Sequence, residues 1–176
     1  MFIQKYFSKW VFALGLITLS GLAQAQFVAG MNKQQLIVET TSQLNMGIGI
    51  AVVARQAIDA GLNPALVTEA LIKAGQDGVV VVKVMIAIDS AAAESITAAA
   101  VTASLGQVGA ITSAAIAAAP QLSKSIVLAV LIVPGVNPAD VVSASASGKS
   151  SAINNNARKV NIETPHSGGR GAVSPS

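Results

Sequence analysis

The chain contains no cysteine and only one histidine, His166. Without thiols there is no disulfide framework, no thiol nucleophile and no cysteine metal site, so an exported form is held by its core or by partners. Aromatic residues are scarce as well. Five of the six (Phe2, Tyr6, Phe7, Trp10, Phe12) fall in the first dozen positions, leaving Phe27 alone in the rest of the chain. A core built from the remainder is aliphatic and alanine-rich, without the aromatic walls that small-molecule pockets commonly use. Charge is missing from the middle, where no ionisable side chain lies between Glu94 and Lys124.

These absences thin out the routes to catalysis. A Ser-His-acid triad needs its imidazole held rigidly beside the nucleophile. His166 instead lies in Thr164-Pro165-His166-Ser167-Gly168-Gly169, a polar setting that offers no such support. Asp89 and Glu94 are the carboxylates nearest each other in sequence. Their spacing fits a turn residue followed by an acid in the first turn of the next helix, where negative charge favours the helix dipole. Gly106-Gln107-Val108-Gly109 and Gly168-Gly169-Arg170-Gly171 lack the lysine-serine ending of a phosphate loop and the spacing of a dinucleotide loop. The sequence therefore supplies no catalytic, cofactor-binding or metal-ligating residue, and the expectation is a protein that is not an enzyme and needs no cofactor.

The first 25 residues read as a secretory leader: basic Lys5 and Lys9, an apolar run from Trp10 to Leu22, and Ala23-Gln24-Ala25 before Gln26. The apolar run is short for a membrane span, which needs roughly 20 residues. No twin arginine precedes it, which points to the general secretory route and to a periplasmic or extracellular protein of a bacterial envelope. The formal charge of +3 is uneven. Residues 26–142 carry five basic and seven acidic groups, whereas residues 143–176 carry four basic groups against Glu163 alone. The basic balance thus belongs to the leader and the C-terminal stretch, which argues against specific nucleic-acid binding by the folded part.

What the chain has in place of chemistry is a period. From Pro64 a fifteen-residue unit recurs, with an aliphatic third position (Leu66, Val81, Ile96, Ile111, Ile126, Val141). The eighth position is Leu71, Ile86, Val101, Ile116, Leu131 and Ala146, and the sixth is mostly alanine. Positions three, seven and eight share one helix face, and breakers gather after the tenth. Each unit reads as a helix of about 15 Å, at 1.5 Å per residue, plus a turn. A helix that short is stable only when stacked on neighbours. The expected fold is all-α, a solenoid-like array of short helix-turn units over 64–142. A helical segment over 26–63 precedes it and a disordered basic tail over 143–176 follows. A continuous right-handed supercoiled helix also fits the period, but Pro120 and Pro134 oppose it. The Val-rich segments 79–88 and 126–133 leave strand open beside helix.

The local punctuation is specific. Asn32 with Gln35 three residues on has the form of a reciprocal helix cap. Gly61-Leu62-Asn63-Pro64 ends one helix and starts the next, and Gly135-Val136-Asn137-Pro138 repeats the phrase. The function expected of such a chain is structural or interaction-based, through self-association or docking on a protein partner. Weak contact of the tail with an anionic surface is a further expectation. Insertion of Ala-rich hairpins into a membrane, or a surface fibre, are the alternatives.

Overall fold

A computed structural model describes residues 27–163, with side chains described as far as Asn156. The leader and His166 lie outside the described residues. Those described form eight α-helices with no strand among them. The Val-rich segments are helical: 79–88 falls within Gly78–Ile88, and 126–131 ends the helix Ser123–Leu131.

The expected caps set the first boundaries. Helix α1 (Lys33–Asn45) begins at Asn32, whose side chain accepts from the Gln35 amide at 2.9 Å while Gln35 Oε1 accepts from the Asn32 amide at 3.0 Å. Two donors that a helix start would otherwise leave unpaired are thereby satisfied. Helix α2 (Ile50–Asp59) is followed by Gly61 in the left-handed region (φ 78°), and α3 (Pro64–Lys73) then starts with Asn63 accepting from Ala65 N–H at 2.9 Å. The second copy of this phrase works the same way. Gly135 has φ 86°, and Asn137 accepts from Ala139 N–H at 3.1 Å as α8 (Pro138–Glu163) begins.

Between these phrases a second kind of turn takes over after α4 (Gly78–Ile88). Asp89, Ser104 and Ala119 all adopt φ between −144° and −132° with ψ between 69° and 86°. Each leads straight into a 3-10 turn (Ser90–Ala92, Leu105–Gln107, Pro120–Leu122) and then into α5 (Ala93–Ala103), α6 (Val108–Ala118) or α7 (Ser123–Leu131). No left-handed residue is needed, so these turns carry no obligatory glycine. Pro120 takes the first place of its 3-10 turn, where no amide donor is required. The chain bends by 115° between Ser90–Ala103 and Leu105–Ala118, so the fifteen-residue stripe does not run along one continuous helix.

Each helix packs on its successor and on the helix two places along. Thus α1 meets α3, α3 meets α5 and α5 meets α7, while α2 meets α4, α4 meets α6 and α6 meets α8. The third-position residues Val81, Ile96, Ile111, Ile126 and Val141 are fully buried, and only Leu66 departs, at 37 % exposed. Leu71, Ile86, Val101 and Ile116 at the eighth position are buried beside them.

The core continues across residue 63 as one cluster from Leu36 through Val53 and Ala57 to Val141. One expectation needs correction. Disorder was expected from Ser143 for want of bulky apolar side chains, yet α8 continues to Glu163. Its buried stripe is Val141, Ala144, Gly148 and Ala152, spaced three or four apart. Small residues suffice here because α8 lies close against α6. A Cβ at Gly148 would stand 2.7 Å from the Ser113 carbonyl oxygen and 2.8 Å from Ile116 Cβ. The absence of side-chain bulk is what lets the two backbones approach. Residues 164–176 of the expected tail lie outside the described residues.

Candidate functional site

A groove of about 640 Å³ lies where the N-terminal turn of α6 faces the first half of α8. Leu105, Gln107, Ser113, Asp140, Ser143 and Ser147 are among its lining residues. Helix α6 brings Gln107 and Ser113 from its preceding turn and its body, and α8 brings Asp140 from its first turn. The groove is open and offers hydroxyls, one amide and one carboxylate. Asp140 is exposed and sits where a helix start favours an anion. No cation or imidazole belongs to this lining, so the groove has acceptor and donor groups for weak polar contact but no paired acid and base.

A second polar constellation ties the stack together. Asp77 caps α4, accepting from Val79 N–H at 2.9 Å and Val80 N–H at 3.0 Å, and its other oxygen accepts from Gln107 Nε2 at 3.1 Å. The Val80 amide, the Gln107 amide group, the Val79 amide and Lys83 all favour the charged carboxylate and hold its pKa below the ordinary range, against a smaller opposing effect of desolvation. The next residue, Gly78, is the first of α4 and is buried. A Cβ there would meet Ile111 Cδ1 at 2.8 Å and Gln107 Oε1 at 2.9 Å. Gly78 is thus a contact residue as well as a helix start. Gly78 and Gly148 thus set the approach of α4 and α8 to the two sides of α6.

The residues weighed for chemistry fall as follows. Asp89 caps the 3-10 turn, accepting from Ala92 N–H at 3.2 Å, and Glu94 is an exposed acid in the first turn of α5. Gly106, Gln107, Val108 and Gly109 line the groove described above. No group of three or more His, Asp or Glu side chains suited to a metal ion occurs among the described residues. The uncharged stretch from Ser95 to Ser123 is the centre of the stack, with α5 between α3 and α7 and α6 between α4 and α8.

A surface feature that sequence reasoning did not locate is the set of large apolar residues left exposed on the last two helices, matched at the other end of the stack by Val28, Val38, Met46 and Val52. Leu128 is 56 % exposed and Ile132 81 % on or beside α7, and Val142 66 % and Ile153 68 % on α8. No sequence signal marks it, because Val142 at the fourth place of its unit looks the same as its buried equivalent Val82 until the next layer is known. No protein-family model, curated protein or solved structure matches this chain.

Proposed function

We propose that this chain is an exported, non-enzymatic scaffold of the bacterial envelope, periplasmic or extracellular, whose short-helix repeat array is solenoid-like and acts by presenting helix faces to a protein partner or to another copy. The observation that carries this reading is the regular packing of alternate helices around one aliphatic core, with apolar side chains still exposed where the packing ends. In such arrays each unit mainly contacts its neighbours, and the surface left over is available for recognition. Exposed apolar patches on an otherwise well-buried chain mark interaction surfaces. The leader-like first 25 residues support export, and the basic groups after Ser143 support weak contact with an anionic surface at low salt.

Membrane insertion is a second reading, favoured by one observation. The bent pair Ser90–Ala103 and Leu105–Ala118 has the length and composition of a broken span, although no single described helix is long and apolar enough to cross. Against it, Ile96, Val101, Ile111 and Ile116 of that pair are buried against neighbouring helices, and Leu105 alone among its large apolar side chains is exposed.

Chemical crosslinking in intact envelopes, followed by mass analysis, tests the scaffold reading. A discrete adduct, either with another copy or with one other protein, is expected. A chain that stays monodisperse and uncrosslinked at high concentration contradicts it. Flotation with liposomes separates the membrane reading, which requires co-migration with vesicles.

A further inference from the structure

We draw no further inference here: the strongest candidate, the patch of exposed apolar side chains Leu105, Leu131 and Ile132 where the turn between α5 and α6 adjoins the turn between α7 and α8, is an unpartnered surface and nothing in the structure shows what covers it.

Discussion

The two ends of the helix stack solve the same problem in different ways. At the N-terminal end, Phe27 and Met31 fold back against the core, and α1 turns glutamine, serine and asparagine outward. Its attachment to the next layer is conventional, with Leu36 fully buried and an ion pair from Lys33 to Glu69 of α3. At the C-terminal end, α8 is fastened by alanine and glycine at close range, while Val142 and Ile153 point into solvent. Both ends leave large apolar side chains in solvent, Val28, Val38 and Met46 at one and Leu128, Ile132 and Val142 at the other, so the ends differ in how they are fastened and not in whether they are covered. The difference teaches that one ladder can hold its helices by apolar bulk where there is room and by small residues where backbones approach closely.

The largest effect that sharpens this contrast compares one place of the unit in two positions of the stack. Ile116→Ala, fully buried on α6, is expected to cost about 2–5 kcal/mol in urea unfolding. Leu131→Ala, 39 % exposed on α7, should cost about 1 kcal/mol in dilute solution, since less apolar area leaves water there. Equal costs at the two places would break the comparison.

The next effect concerns how each end is fastened. Gly148→Ala pushes a methyl group against the Ser113 carbonyl and Ile116, neither of which is a flexible tip, and should cost about 1–3 kcal/mol despite alanine's better helix propensity. Lys33→Ala removes an ion pair whose lysine side chain is 49 % exposed, and should cost roughly 0–1 kcal/mol. The reverse order, measured by thermal or urea unfolding, would mean that α8 is not held by close backbone approach. Gly78→Ala falls between them, because its nearest contacts, Ile111 Cδ1 and Gln107 Oε1, lie at the ends of side chains that can shift.

The smallest effect lies mid-stack and depends on pH. Asp77 is more acidic in the folded chain than when free, because the Val80 amide, Gln107, the Val79 amide and Lys83 favour its charge. Its contribution is therefore complete above the ordinary carboxylate range and is lost as pH falls through the depressed folded value. Asp77→Asn should be less stable than the parent near neutral pH, with the difference shrinking in acid. A difference that grows on acidification would contradict the direction of that shift.

Much of the helical layout was legible in the residues. The cap at Asn32, the Gly-x-Asn-Pro phrases and the aliphatic ladder mark positions where the backbone or core admits few alternatives. The turns after Asp89, Ser104 and Ala119 were legible in position, from the period, Asp89 and Pro120, but not in form, since a 3-10 entry needs no signature residue. Helix α8 was misread because apolar bulk is a poor guide to burial when contact is made through Ala144, Gly148 and Ala152. Gly78 makes the same point, as a glycine can mark a close approach as well as a turn. The exposed end could not be recognised from the sequence, because Leu131 and Val142 look the same as their buried equivalents until the neighbour two places along is known to be missing.

The absence of cysteine allows the central claim to be tested by a single distance measurement. Spin labels on Val38→Cys and Ile132→Cys in one chain should lie about 24–30 Å apart, since three interhelix steps of 8–10 Å separate α1 from α7. A much shorter separation, or a broad distribution with no defined peak, would contradict the stacking of alternate helices along one core.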